Sequence, residues 1–160
     1  MTEQEFNEVF RSQLGEISRF ISRRIPKEDV EDLAADLFAL AWQKRSQIPT
    51  GLELPWFYKS ARYLISNHNR KKAGRQSILD NLREPEAAPS AESLAIADIT
   101  LANAWRKLSS KESEILALWA FEGLEPKQLA VVLEKSENAS AIALSRAKAK
   151  LQHLLDSENN

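Results

Sequence analysis

The 160-residue sequence predicts an all-α fold of two small helical domains joined by a linker, the C-terminal one a helix-turn-helix. Apolar residues recur at the three- and four-residue spacing of amphipathic helices, and no segment shows the alternation of a β-strand. Proline, glycine and serine cluster where those patterns stop. We therefore expect a first domain over residues 1–74, a linker over 75–91, a second domain over 92–156 and a tail over 157–160.

Composition narrows the class of protein. The chain has no cysteine, which excludes disulfides and thiolate metal sites and suits a reducing compartment. Its acidic start, Met1 to Glu5, lacks the basic and apolar parts of a secretory signal. No apolar run approaches the roughly 18 residues of a membrane span. We expect a cytoplasmic protein without membrane insertion.

The first domain is expected to contain three helices. The first ends before Pro26, and the second begins near Lys27 with an acidic first turn that favours the helix dipole. After a loop over residues 47–54, Pro55 suits the first turn of the third helix. The apolar stripes of the first two helices are Phe6, Val9, Phe10, Leu14, Ile17, Phe20 and Ile21, then Val30, Leu33, Ala34, Leu37, Phe38 and Ala41.

The third helix combines aromatic and cationic residues. The chain's net charge of −1 argues against a simple nucleic-acid binder, yet residues 49–75 hold six basic side chains and one acidic one. Aromatic rings stack on unpaired bases while cations follow phosphates, so this helix, Trp56–Arg75, predicts single-stranded DNA binding. A solvated basic face over the core is the alternative. We expect Phe57, Ala61, Leu64 and His68 on the core side and Lys59, Arg62, Tyr63, Ser66 and Arg70 opposite.

The second domain shows the signals of a helix-turn-helix. Ser109 and Glu112 have the spacing of a capping box, and Pro126 opens a short helix. Ser136 is the expected N-cap of the last helix, and a short helix is expected in the linker around residues 78–82. Two helices joined by a short turn, the second long and basic, predict duplex DNA recognition. The last helix has the apolar stripe Ile142, Leu144, Ala147, Leu151, Leu154 and Leu155.

No constellation in the sequence points to catalysis. His68 and His153 lie far apart, and the four glycines form no phosphate-binding loop. The acidic pairs sit in no recognisable catalytic setting. We therefore expect no enzymatic activity, no cofactor and no metal.

The N-terminal half resembles the extracytoplasmic-function group of bacterial sigma factors. The matching segments run from Asp29 through Trp42 and from Trp56 through Lys71. The resemblance implies that the first segment binds the β′ clamp helices of core RNA polymerase and that the second recognises and melts the −10 promoter element. The implied polymerase-binding residues are Asp32, Asp36 and Trp42. The implied −10 DNA-binding residues are Trp56, Lys59, Arg62, Tyr63, Asn67, Arg70 and Lys71.

Segments of the C-terminal half, within Leu108 to Leu133 and Ser136 to Leu151, resemble the −35-binding domain of the same group. This resemblance also implies contact with the polymerase β flap. One departure is Glu134, which stands where the family usually has glycine in the turn. Another is the scarcity of basic residues at positions 140–143, which predicts fewer phosphate contacts. The implied −35 DNA-binding residues are Ser136, Asn138, Ser140, Arg146 and Lys148.

The sequence thus predicts a sigma factor that binds core RNA polymerase and directs transcription initiation at specific promoters. Its partners would be the polymerase and promoter DNA, and the resemblance leaves room for an anti-sigma factor. One rival is a stand-alone helix-turn-helix regulator, which would bind duplex DNA without polymerase. A second is a sigma-like decoy that occupies polymerase or an anti-sigma factor without supporting initiation.

Overall fold

The structure, a computed structural model, describes residues 1–74 and 84–158. The chain divides into two compact units, Met1–Ala87 and Ala88–Asn160. The helical secondary structure agrees with the predicted all-α class, and the described ranges contain no strand. The short helix expected around residues 78–82, and Arg75, lie outside the described residues.

The first unit contains the three predicted helices. They are α1 (Glu3–Ser22), α2 (Val30–Gln43) and α3 (Glu53–Lys72), with single 3₁₀ turns at Lys27–Asp29 and Arg45–Gln47.

Aromatic packing joins these three helices. Phe6 on α1 meets Phe38 and Trp42 on α2, each at 5.4 Å between ring centroids. Phe10 meets Phe57 of α3 at 5.3 Å. Each such pair contributes about 0.5–1.5 kcal/mol beyond its buried area. This cluster therefore sets how α2 and α3 lie against α1.

Two residues of the predicted apolar stripes are exposed. Leu14 and Phe38 are 41% and 39% exposed, and both line a groove of about 840 Å³ between α1 and α2. Each stripe is therefore wider than the contact between the two helices. The rest of the groove wall includes the polar ends of Arg11, Arg19 and Glu31.

The second unit forms four helices, and its beginning packs against them. The helices are α4 (Ile99–Arg106), α5 (Ser110–Ala120), α6 (Pro126–Leu133) and α7 (Glu137–Glu158). The indole N–H of Trp105 donates to the carbonyl of Pro89 at 3.2 Å, which attaches the coil before α4.

Local sequence signals fix where these helices begin. The predicted capping box is present, since Ser109 Oγ accepts from the Glu112 N–H and Glu112 Oε1 accepts from the Ser109 N–H. Ser136 Oγ accepts from the Ala139 N–H at 3.0 Å, which confirms Ser136 as the N-cap of α7. Helices α6 and α7 pack together as the helix-turn-helix.

The turn between α6 and α7 depends on a residue in left-handed conformation. Glu134 has φ 55° and ψ 47°, and the Lys135 N–H donates to the Ala130 carbonyl at 3.1 Å. Glycine adopts this conformation without the steric conflict that a β-carbon creates. Glu134 therefore adopts a conformation that glycine would adopt with less strain.

We expect Glu134→Gly to raise the free energy of unfolding relative to Glu134→Ala by about 1 kcal/mol, because alanine retains the conflicting β-carbon and glycine does not. Both substitutions remove the same carboxylate, so the comparison isolates the backbone. Urea denaturation of the full chain measures the difference. Equal midpoints for the two variants would contradict a strained turn.

Candidate DNA-binding and polymerase-binding surfaces

The rotation of α3 is fixed by fully buried side chains. Phe57, Ala61 and Ile65 have no exposed area and share the side of the helix that faces α1 and α2. Residues separated by one or two positions point elsewhere on a helix, so this buried side determines which α3 residues can reach a partner.

A second side of α3 is covered by residues 84–87, which we call the strap. The Glu86 N–H donates to Ser66 Oγ at 3.0 Å, and Glu84 Oε1 lies 3.6 Å from Arg62 Nη2. Arg24, at the end of α1, donates from Nε to the Ala87 carbonyl at 3.1 Å. The last part of the expected linker before Ala88 thus belongs to the packing of the first unit.

The strap changes the predicted faces of α3. Arg62 and Ser66 were expected on the open side, and this was wrong, because they are only 3% and 2% exposed beneath the strap. Trp56 and Tyr58 are likewise buried, and Tyr58 stacks on Phe20 at 4.6 Å. Helical periodicity gives the angle of a side chain but cannot show that a coil segment covers it.

The side of α3 that stays open presents Lys59, Tyr63, Asn67 and Arg70, which we call the open sector. Tyr63 is 40% exposed, Asn67 is exposed, and Lys59 and Arg70 are half-buried. Lys59 Nζ lies 5.5 Å from the Trp56 ring. Arg70 donates to Ser66 Oγ at 2.9 Å and to Asn67 Oδ1. A ring, an amide and two cations are thereby held on one surface.

The acidic residues expected to bind polymerase are exposed on α2. Asp32 and Asp36 line a small cleft of about 230 Å³ together with Asn67 and Lys71 of α3. Trp42 is half-buried, because it packs on Phe6 and the Arg45 guanidinium covers its ring at 3.8 Å. The two carboxylates thus lie close to the basic end of α3, and Trp42 lies largely in the packing.

His68 lies close to a carboxylate at the start of α2. Its Nε2 lies 3.4 Å from Asp29 Oδ2, and Lys72 Nζ lies 3.2 Å from the same oxygen. This contact ties the end of α3 to the start of α2. Within the described ranges no group of three or more His, Cys, Asp or Glu residues could hold a metal ion.

In the second unit, α7 packs through a narrow stripe that includes Ser140. Ser140, Leu144 and Ala147 are buried, and Ser140 has no exposed area. Ser140 therefore faces the interior of the unit rather than the outer surface. Ile142, by contrast, is 43% exposed.

The outer face of α7 presents Asn138, Ile142 and Ser145, all exposed. Ile142 and Ser145 were missed as candidates, although their helical spacing from Asn138 could have indicated them. Arg146 and Lys148 are exposed but lie two positions apart, on different flanks of the helix. Lys148 also lies over the Trp119 ring at 3.9 Å.

Two further features bear on charge and environment. Arg106 Nε donates to Glu92 Oε1 at 2.8 Å, and this hydrogen bond holds the pKa of the Glu92 carboxyl below its usual value. No helix within residues 1–74 and 84–158 is both long and apolar enough to cross a membrane.

Comparison with known proteins agrees with this geometry. Residues 99–151, which contain α4 to α6 and most of α7, match the family described as Sigma-70, region 4. The chain is 28% identical over 148 residues to the RNA polymerase sigma factor CnrH of Cupriavidus metallidurans, covering 84% of this chain and 78% of CnrH. It is 24% identical over 145 residues to the sigma factor SigZ of Bacillus subtilis, covering 88% and 81%.

A solved structure shares the fold. The sigma factor RpoE of Bartonella quintana, crystallised with the anti-sigma factor NepR, superposes with a TM-score of 0.63 over 96% of this chain and 98% of RpoE, at 22% identity. At that identity the likeness supports the fold alone. The region 4 match and the sequence relatives make this chain similar to RNA polymerase sigma factors of the extracytoplasmic-function group.

Proposed function

We propose that the first unit of this sigma factor docks on core RNA polymerase and captures the opened −10 strand, while the second unit reads the −35 element. The open sector of α3 is the observation that supports this most strongly. It joins an exposed ring, an amide and two cations on a helix whose other sides are occupied. The chain takes no catalytic role in this proposal and acts in the cytoplasm with the polymerase.

The open sector suits an unpaired strand. The Tyr63 ring offers a stacking platform, and Lys59 and Arg70 supply cations for the phosphates on either side of it. The amide of Asn67 can donate to and accept from a base edge. Lys71, also exposed, extends the cationic surface toward the acidic cleft. Among the residues implied by the resemblance, these are the ones that reach a strand without rearrangement.

The acidic surface of α2 suits a basic partner helix. Asp32 and Asp36 are one helical turn apart and both exposed, so they point in the same direction. We assign them to polymerase docking. Because they line the same cleft as Asn67 and Lys71, docking on polymerase would position the −10-binding residues beside it.

For the −35 element we assign the outer face of α7. Asn138, near the start of the helix, can pair with the N6 and N7 atoms of adenine, and the exposed Ile142 can pack against a thymine methyl group. Arg146 or Lys148 would bind phosphate at an edge of the groove. Ser136 caps the helix, and Ser140 supports its packing.

An anti-sigma factor is a further proposed partner. The Bartonella quintana RpoE structure contains such a complex, and the two folds correspond over nearly their whole lengths. The open groove between α1 and α2, with Phe10, Leu14 and Phe38 in its wall, supports the proposal because an amphipathic helix binds in grooves of this kind.

We expect run-off transcription with core polymerase on genomic fragments to initiate at discrete sites only when this chain is added. Tight duplex binding without polymerase would favour a stand-alone regulator. Polymerase binding without transcripts would favour a decoy. A promoterless fragment of matched length controls for initiation at DNA ends.

We expect Tyr63→Ala to reduce promoter opening by roughly 5- to 150-fold, because stacking contributes about 1–3 kcal/mol per base. Permanganate reactivity of unpaired thymines measures the opened fraction. Tyr63→Phe retains the ring and should open normally. Unaltered opening by the alanine variant would remove Tyr63 from the −10 site.

We expect Asp32→Asn combined with Asp36→Asn to weaken binding to core polymerase by about 2- to 30-fold, since exposed ion pairs contribute roughly 0.2–1 kcal/mol each. The difference should shrink at high salt, which screens exposed charges. Fluorescence anisotropy of the labelled factor measures the affinity. Glu31→Gln, an exposed acid on another side of α2, is the control, and an equal loss there would contradict a specific docking surface.

A further inference from the structure

The strap covers two arginine side chains and a serine hydroxyl. Its oxygens face two arginines, with Glu84 Oε1 3.6 Å from Arg62 Nη2 and the Ala87 carbonyl 3.1 Å from Arg24 Nε. Guanidinium groups form this kind of contact with phosphate oxygens. Residues 84 and 87 are three positions apart, so the two arginines receive acceptors from a short extended stretch.

Stacked planar groups lie beside these contacts. The Arg24 guanidinium lies 3.8 Å from the centroid of the Phe20 ring, and Phe20 stacks on Tyr58 at 4.6 Å. Guanidinium planes and aromatic rings are the platforms on which single-stranded nucleic acids stack. The chemistry under the strap therefore continues that of the open sector.

The buried arginines limit how the strap can leave. Arg24 and Arg62 are 8% and 3% exposed. Removing the partner of a buried charge is strongly destabilising, because the remaining charge loses the interaction that offset its desolvation. Arg24 also donates to the Phe20 carbonyl at 2.9 Å, so it keeps one partner when the strap leaves. Departure of the strap is most favourable when another anionic group replaces its oxygens. The buried arginines therefore favour exchange of the strap for an anionic ligand over opening of the strap by itself.

Ser66 connects the strap to the open sector. Its Oγ accepts from the Glu86 N–H at 3.0 Å and from Arg70 Nη1 at 2.9 Å. Arg70 in turn donates to Asn67. A change at the strap therefore reaches two residues assigned to the −10 strand through a single hydroxyl oxygen.

We propose that the strap is an intramolecular stand-in for a single DNA strand: it covers Arg24, Arg62 and Ser66 in the free factor, and the opened promoter strand displaces it. The inference rests on the proposed function of α3. It implies that the free factor is autoinhibited for single-strand binding. Strand capture by the open sector would begin the exchange, and the arginines would then become contacts of the captured strand.

A disulfide can hold the strap in place. The chain has no native cysteine, and the 3.0 Å contact between Ser66 Oγ and the Glu86 nitrogen brings positions 66 and 86 close enough for a Ser66→Cys, Glu86→Cys pair. The full-length oxidised variant should bind a labelled single-stranded −10 oligonucleotide at least about fivefold more weakly than the same protein after reduction. Ser66→Cys alone controls for loss of the hydroxyl and for the redox treatment.

A second variant tests release. Ala87 is 2% exposed, so Ala87→Leu combined with Glu84→Gln should dislodge the strap by steric conflict and loss of the ion pair. We expect this variant to bind the oligonucleotide about fivefold more tightly than the wild type, the effect of roughly 1 kcal/mol. Circular dichroism verifies that the helices are retained.

The outcomes distinguish failure of the strap proposal from failure of the proposed function. Equal oligonucleotide binding by the oxidised and reduced forms of the Ser66→Cys, Glu86→Cys variant overturns the strap proposal. Unchanged or weaker binding by the Ala87→Leu, Glu84→Gln variant also overturns it. If the disulfide does not form, the release variant decides alone. A different result contradicts the proposed function: the wild-type protein and core polymerase give no promoter-specific run-off transcripts.

Discussion

The rotation of α3 is the constraint on which the rest of the first unit depends. Phe57, Ala61 and Ile65 are fully buried, and the contact between Phe10 and Phe57 fixes the helix against α1. Once that side is committed to the core, the remaining circumference divides between the strap and the open sector. A small rotation would bury Tyr63 and expose core residues, so hydrophobic packing together with the strap determines which polar groups of α3 are accessible.

The second constraint is electrostatic, and it comes from the strap, a segment without regular secondary structure. Arg24 and Arg62 are held under a coil whose carbonyl and carboxylate oxygens offset the cost of burying them. Hydrophobic burial favours one arrangement without reference to a ligand, whereas these arginines accept any anionic group of suitable shape. The core is thus fixed, and under the strap proposal the covered surface is exchangeable, which would combine a stable unit with a strand-binding site that can be masked.

The sequence predicts the features whose signals lie within a few residues of one another. Caps are local, so Ser109 and Ser136 were placed correctly, and the position of Glu134 in a tight turn made its left-handed conformation predictable. Contacts between segments distant in sequence were not predictable. Arg62 appeared to lie on an open face because periodicity contains no information about the strap twenty residues later. Ser140 likewise appeared available, although its side of α7 is packed.

The distribution of charge explains how a chain of net charge −1 serves promoter recognition. Arg146 and Lys148 lie on different flanks of α7, and the outer face between them presents an amide, an aliphatic side chain and a hydroxyl. Such a face can discriminate bases, but affinity for duplex DNA depends mainly on phosphate neutralisation. The strap further removes two cations of the first unit from solution. Under the proposed function, the polymerase therefore supplies the affinity for DNA, while this chain contributes selection.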